Sequence, residues 1–253
     1  MFPIRDTVPS RNVPFMTRVL IIINALVFLY EIMLPERALE QLMYLFGIVP
    51  ARFTHPDWAA SVGFPGGDYL PFLTHMFLHG GWLHIIANMW TLWIFGDNVE
   101  DRMGSGRFLI FYLLCGVAAG ITHLIINPSS TVPSVGASGA IAGVLAAYFL
   151  WFMHSRVLVM IPIIIFPVFV EVPAVLYLGF WFVSQLFSGT ASLVRPQEGG
   201  GIAFWAHIGG FVAGALLCWL FLRPRQERAP IERELEDFDT SWQPRWRERR
   251  SGF

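Results

Sequence analysis

The chain has 253 residues, of which 55% are hydrophobic and only 14% are charged, and its formal net charge is -1. A soluble domain carries about a quarter charged residues, so this composition excludes an ordinary soluble protein and favours one that lies in a lipid bilayer. The nearly balanced charge provides no basic surface, and no nucleic-acid partner is expected.

The N-terminal segment, residues 1–15, contains three prolines and precedes the first apolar block, 16–34. No small-residue cleavage site follows that block, so we interpret it as a retained membrane span and not as a signal peptide. The segment before it is predicted to lie in the cytoplasm.

Apolar blocks long enough to cross a bilayer follow one another along the chain, each near the roughly 17–25 residues that a spanning helix needs. The six blocks are 16–34, 77–96, 106–126, 137–153, 171–188 and 202–222. The run 157–170 is apolar but rich in β-branched residues and proline, and we expect it at the membrane surface or packed against protein. The prediction is an all-α membrane protein, a six-helix bundle over residues 16–222 with a first outer loop, 35–70, partly embedded in the interface.

Arginines set the predicted orientation, because cytoplasmic loops carry an excess of basic residues. With the N-terminus inside, the inner side receives the arginine-rich tail and Arg5, Arg11, Arg18, Arg102, Arg107 and Arg156, whereas Arg37, Arg52 and Arg195 stay outside. We therefore expect a multi-pass protein of the cell (inner) membrane with both termini in the cytoplasm. Residues 223–253 are predicted to be a charged, solvated cytoplasmic tail.

Polar residues inside three of the apolar blocks indicate function, since polar groups are expensive in a bilayer. The fourth block opens with GASGAIAG, which contains Ser138, and the sixth contains AHIGGFVAG with His207. His75, His79, His84 and Asn88 lie at the start of the second block. Each feature alone has an ordinary explanation as packing or as a hydrogen bond between helices.

These polar residues share one depth in the predicted membrane, which favours a common function over separate packing roles. In the predicted orientation the second, fourth and sixth spans all run from outside to inside. At about 1.5 Å per residue, Ser138, His207, His84 and Asn88 then lie within roughly 5–15 Å of the outer hydrocarbon edge. Four unrelated polar residues would have no reason to share one depth.

Small residues explain how two of these spans can touch. Gly139 and Gly143 on the fourth span, and Gly210 and Gly214 on the sixth, follow the spacing that lets helix backbones approach closely. Ser138 and His207 can then form a nucleophile–base pair. His84 and Asn88, four residues apart, share a helix face and can donate hydrogen bonds to an oxyanion together with the Ser138 N–H.

These residues resemble the rhomboid intramembrane serine proteases over residues 16–222. The motifs that carry the resemblance are His84-x-x-x-Asn88, Gly96-Asp97-Asn98-Val99-Glu100, Gly104-Ser105-Gly106-Arg107, Gly136-Ala137-Ser138-Gly139 and Ala206-His207-x-Gly209-Gly210. The resemblance implies a six-helix core in which Ser138 is the nucleophile and His207 the base, with no acidic third member and no cofactor or metal. It implies that single-pass membrane proteins are cut near the outer membrane face, with His84 and Asn88 on the oxyanion side.

The same resemblance assigns supporting roles. Glu100 is expected to bind backbone at the cytoplasmic end of the second span, and Trp181 and Phe182 to belong to a lateral gate.

The sequence departs from some bacterial members at two places. Ala142 stands where they have an aromatic residue that stacks on the catalytic imidazole, and Leu70-Pro71 stands where they have Trp-Arg in the first outer loop. Glu31 and Glu171 are poor candidates for a third catalytic group because of their positions at span ends.

Other functions remain open from the residues alone. His75, His79 and His84 suggest a zinc protease, but HExxH is absent and no acidic residue lies among them. A small multi-span transporter would also place polar residues within its spans, although no inverted repeat is visible. A catalytically inactive rhomboid-like factor that binds membrane proteins is the third alternative, which the presence of both Ser138 and His207 disfavours.

Overall fold

The computed structural model describes residues 2–10, 12–64, 66–163, 166–194 and 203–223. Within these residues the chain is mostly helical. The helices are α1 (Phe15–Met33), α2 (Glu36–Phe46), α3 (Pro50–Thr54), α4 (Pro56–Ser61), α5 (Pro71–Thr74), α6 (Trp82–Met103), α7 (Ser105–Ile126), α8 (Ser138–Trp151), α9 (Ala174–Val194) and α10 (Phe204–Phe221). The predictions for the tail beyond residue 223, and for Arg11 and Arg195, lie outside the described residues.

Four of the described helices are long and apolar enough to cross a membrane, namely α1, α7, α10 and the Ala174–Ser192 part of α9. The other two predicted spans correspond to α6 and α8. Helix α6 has 22 residues, but its last turns carry Asp97, Glu100, Asp101 and Arg102. Helix α8 is apolar but has only 14 residues. The protein therefore has several apolar helices of membrane-spanning length, and the count of six spans stays a prediction.

Helix α8 lies at the centre of the bundle. Every residue from Gly139 to Tyr148 is buried, which explains why this helix carries neither charges nor a polar face. Helix α10 packs along both α7 and α8. A methyl group placed on Gly210 would lie 2.0 Å from the Gly139 carbonyl oxygen, and one on Gly214 would lie 2.4 Å from Gly143 Cα. The backbones of α8 and α10 therefore touch at the glycines that the sequence singled out.

A three-stranded antiparallel sheet contradicts the all-α prediction. Its strands are β1 (Phe2–Asp6), β2 (Arg156–Ile163) and β3 (Phe166–Pro173), in the order β1-β2-β3. Asp6 pairs with Val157, and Arg156 pairs with Pro173. β-branched residues favour strands, and the prolines at 162 and 167 prevent a helix. Helix α9 begins only after Pro173, so the fifth predicted span starts three residues too early.

Strand β1 is held against two helices by its last residue. The Asp6 carboxylate accepts hydrogen bonds from Tyr148 Oη on α8 at 2.6 Å and from Asn98 Nδ2 on α6 at 2.8 Å. Burial raises the pKa of Asp6 despite these donors. Trp90 Nε1 also donates to the Pro3 carbonyl at 2.6 Å. The N-terminal strand thus lies alongside α6.

The first loop is anchored without the Trp-Arg pair of some relatives. Buried Arg52 forms a 2.7 Å ion pair with Asp68 and donates to the Leu45 carbonyl at 3.1 Å. Ile48 exchanges backbone hydrogen bonds with Ser134, so the loop also supports the segment before α8. Whether part of this loop is embedded in the interface stays a prediction.

Glu100 connects three helices at the other end of the bundle. Its carboxylate accepts the backbone N–H groups of Met16 at 2.8 Å and Thr17 at 2.7 Å, together with the hydroxyls of Thr17 and Ser105. The first N–H groups of a helix have no partner within the helix, and a carboxylate is favoured there by the helix dipole. Glu100 therefore binds backbone at the start of α1.

Candidate active site

Ser138 is the first residue of α8, and the turn before it depends on glycine. Gly136 has a φ of 128°, a conformation that other residues rarely adopt. Its N–H donates to the His75 carbonyl at 2.8 Å. A side chain at position 136 would lie 2.7 Å from the His84 ring. Glycine at this position therefore lets the chain pass close to α6 and turn Ser138 toward it.

His207 on α10 meets Ser138 directly. Its Nε2 lies 2.7 Å from Ser138 Oγ, although the two residues are 69 positions apart in the chain. Its Nδ1 lies 2.8 Å from Oε1 of Gln185 on α9. The distance to Ser138 is that of a good hydrogen bond, which is the geometry a hydroxyl nucleophile needs from its base.

His84 and Asn88 lie one turn apart on α6 and line the same cavity as Ser138 and His207. Asn88 is buried, and its Nδ2 has no hydrogen-bond partner among the described residues. The same Nδ2 lies near Gly136, because a methyl group added to Gly136 would be 3.7 Å from it. His84 Nδ1 accepts a long hydrogen bond of 3.4 Å from the Gly80 N–H, which favours the proton on Nε2. Both side chains thus have an N–H group available near Ser138.

The cavity has a volume of about 1000 Å³. Besides the four polar residues above, its walls include Trp181 of α9, His123 of α7 and the polar segment from Ser129 to Val135. Such a volume accommodates a peptide segment and water together.

Trp181 and Phe182 pack against α10. The Trp181 ring lies 6.0 Å from the His207 ring at an interplanar angle of 34°, and Phe182 stacks on Phe211 at 4.3 Å. These contacts connect α9 with the helix that carries the imidazole. A gating role for the pair stays a prediction.

Two residues of the site were missed in the sequence. Gln185 contacts His207, and His123 lines the cavity. Gln185, four residues after Trp181, is a polar side chain in an apolar span, which is the same sequence feature that distinguishes His207. Nothing in the sequence indicates which way either side chain points.

The three candidate zinc ligands do not converge. His75 Nδ1 is directed to the Pro71 carbonyl at 2.9 Å, whereas the His79 and His84 rings lie edge to face. Among the described residues, no group of three or more His, Cys, Asp or Glu side chains is placed to hold a metal ion. Glu31 accepts the His79 N–H at 3.2 Å, and Glu171 lies in β3.

The chain is similar to known proteins of one family. A family model described as Rhomboid domain matches residues 66–224, more than half of the chain. The chain is 34% identical over 151 residues to Rhomboid protease GluP of Bacillus subtilis, covering 60% of this chain and 26% of that protein. It is 30% identical over 156 residues to Rhomboid-like protein 11, chloroplastic, of Arabidopsis thaliana, covering 59% and 51%.

A third relative, Rhomboid protein 1, mitochondrial, of Saccharomyces cerevisiae, is 29% identical over 147 residues, covering 56% of this chain and 39% of that protein. The chain thus spans between 26% and 51% of the lengths of these three relatives.

Proposed function

This chain belongs to the rhomboid family, and on that premise we propose that it is an intramembrane serine endopeptidase with Ser138 as nucleophile and His207 as base. The observation that carries the proposal is the 2.7 Å distance between Ser138 Oγ and His207 Nε2 at the wall of a cavity of about 1000 Å³. A hydroxyl and an imidazole at this distance are the minimum that acyl transfer requires.

The reaction begins when Ser138 Oγ attacks the scissile carbonyl carbon and His207 Nε2 takes the hydroxyl proton. A C–O bond forms, and the carbonyl oxygen becomes an oxyanion. When the intermediate collapses, the C–N bond breaks and His207 returns the proton to the leaving amine. Water then attacks the acyl-enzyme while His207 takes its proton. The ester C–O bond breaks, His207 returns the proton to Ser138 Oγ, and the second product is released.

Donors for the oxyanion come from two helices. The Ser138 N–H is at the start of α8, where it has no partner within the helix. Asn88 lines the same cavity, and its Nδ2 has no partner among the described residues, while His84, another lining residue, offers Nε2–H. Donors fixed in place before reaction stabilise developing charge without reorganisation.

The proposed substrates are single-pass membrane proteins cleaved near the outer face of the cell membrane. A peptide bond inside a helix is shielded by its neighbours, so the substrate must unfold locally to reach Ser138. Helix-weakening glycine or proline near the scissile bond is therefore expected. The proposed protease domain is 16–222, between the segment 1–15 and the tail 223–253, with both termini in the cytoplasm.

Proteolysis of a transmembrane model substrate in vesicles tests the proposal. Ser138→Ala and His207→Ala should each abolish cleavage, while Ser61→Ala and His154→Ala, at exposed positions on α4 and after α8, keep the wild-type rate. Cleavage by Ser138→Ala or His207→Ala at the wild-type rate contradicts the proposal. Wild-type protein that binds the substrate without cutting it indicates an inactive relative, and ion flux without cleavage indicates a transporter.

A further inference from the structure

The His207 ring is hydrogen-bonded on both of its nitrogens. Nε2 faces Ser138 Oγ at 2.7 Å, and Nδ1 faces Gln185 Oε1 at 2.8 Å. Gln185 is a buried polar residue, 9% exposed, on helix α9. A side chain that is buried, polar and in contact with the base calls for a chemical explanation.

The contacts of the Gln185 amide fix which of its two ends faces His207. Gln185 Nε2 lies 3.1 Å from Ser184 Oγ and 3.4 Å from the Trp181 carbonyl. A carbonyl only accepts hydrogen bonds, so the NH₂ group belongs on that side and the amide oxygen on the side of the imidazole. Gln185 Oε1 is therefore an acceptor for an Nδ1–H.

An acceptor at Nδ1 selects the tautomer that catalysis needs. With the proton on Nδ1, Nε2 carries a lone pair and can accept the Ser138 hydroxyl proton. With the proton on Nε2, the ring would present a donor to Ser138 and could not act as base. We infer that Gln185 is a positioning residue for the proposed proteolysis, which sets the tautomer and orientation of His207 with a neutral amide instead of a carboxylate.

No other described group takes this role. Ala142 replaces the aromatic residue that stacks on the imidazole in some relatives, and a methyl group cannot orient a ring. Trp181 lies 6.0 Å from the imidazole at 34°, a tilted contact that restricts the ring without distinguishing its two nitrogens. A neutral acceptor also avoids the desolvation of a buried charge.

Because this inference rests on the proposed function, its experiment compares cleavage by wild type, Gln185→Leu, Gln185→Glu and Thr190→Val. Thr190 is the matched control, since it is exposed on the same helix and bonds only to its own helix backbone. Gln185→Leu should lower kcat about 10- to 100-fold with KM unchanged, and should slow fluorophosphonate labelling of Ser138 equally. Thr190→Val should match wild type.

Gln185→Glu separates orientation from packing. It keeps an oxygen at the acceptor position and is expected to retain most of kcat, with the acidic limb of the pH–rate profile moved to higher pH because a carboxylate favours protonated imidazole. Wild-type kcat in Gln185→Leu, or a Gln185→Glu enzyme as slow as Gln185→Leu with an unmoved pH profile, overturns the inference. Wild type that neither cleaves nor labels instead refutes the proposed function.

Discussion

Asn88 is the residue whose environment fits an oxyanion donor most closely. A buried amide N–H without a partner destabilises a protein by about 1–3 kcal/mol, so such a group is retained only where a function requires it. Asn88 Nδ2 is in this situation beside Gly136 and the start of α8. The oxyanion that forms on the substrate carbonyl when Ser138 attacks it would supply the acceptor that is otherwise absent among the described residues.

Replacing Asn88 by alanine should therefore affect turnover and not folding. We expect Asn88→Ala to lower kcat about 10- to 1000-fold, a range that includes the roughly 100- to 1000-fold loss typical of one oxyanion donor, with the thermal midpoint unchanged or raised. Steady-state cleavage of a transmembrane substrate and thermal unfolding in detergent measure the two effects. Unchanged kcat would assign Asn88 to packing.

The contacts of some site residues could be predicted from the sequence, and those of others could not. Ser138 and His207 could be paired in advance because the glycine spacing on both helices specifies which faces meet, and a hydroxyl and an imidazole lie on those faces. Gln185 could not be paired with His207. Its helix follows the β2–β3 hairpin, and the four-residue spacing of Ser184, Ser188 and Ser192 does not indicate that Gln185 faces His207.

At the level of elements, the contact between α8 and α10 determines whether the site exists. The two helices approach until backbone meets backbone at Gly139 and Gly210, and again at Gly143 and Gly214. No side chain intervenes at these positions, so the distance between the helix axes is set by main-chain atoms. This spacing brings the Ser138 hydroxyl within hydrogen-bond distance of His207.

A single methyl group should disturb that contact. Gly210→Ala places a carbon 2.0 Å from the Gly139 carbonyl oxygen, so the helices must separate. We expect a loss of about 3 kcal/mol in unfolding free energy and a drop in cleavage of at least about tenfold. Gly106→Ala is the control, since nothing lies within 4 Å of a methyl group there. Equal stability and activity in Gly210→Ala and Gly106→Ala would mean that close packing is unimportant.

The sheet is the element that could not be predicted from the sequence. The run 157–170 is apolar throughout, so it lacks the alternation of polar and apolar residues that marks a half-buried strand. Its partner β1 lies about 150 residues earlier in the chain, and pairing over such a distance leaves no local signal. Proline and β-branched residues argued against a seventh span, but they could not identify β2 and β3 as strands of a sheet.

For the whole molecule, burial explains why two of the expected spans are less apolar or shorter than the rest. Helix α8 is surrounded by protein, so its 14 residues need not match the bilayer thickness. Helix α6 places Asn88 and Glu100 against protein and not lipid, and both are buried. Under the six-span prediction, hydropathy alone would underestimate the number of helices that cross the membrane in such a bundle.

Alternate crossing by α1, α6, α7 and α8 predicts that the loop with Ser61 and the turn with His154 lie on opposite sides of the membrane. Ser61→Cys and His154→Cys are suited to this test because both positions are exposed, while native Cys115 and Cys218 are buried. In sealed vesicles, an impermeant maleimide should label one variant only, and permeabilisation should expose the other. Labelling of both variants from the same side would refute the topology.

Mass-spectrometric mapping of a fluorophosphonate adduct on the full-length protein tests the central claim most directly. The adduct should be found on Ser138 of the wild type, should appear at the rate at which cleavage of a transmembrane substrate is lost, and should be absent from His207→Ala. Cleavage that continues in fully treated protein without modification of Ser138 would contradict the assignment of Ser138 as the nucleophile.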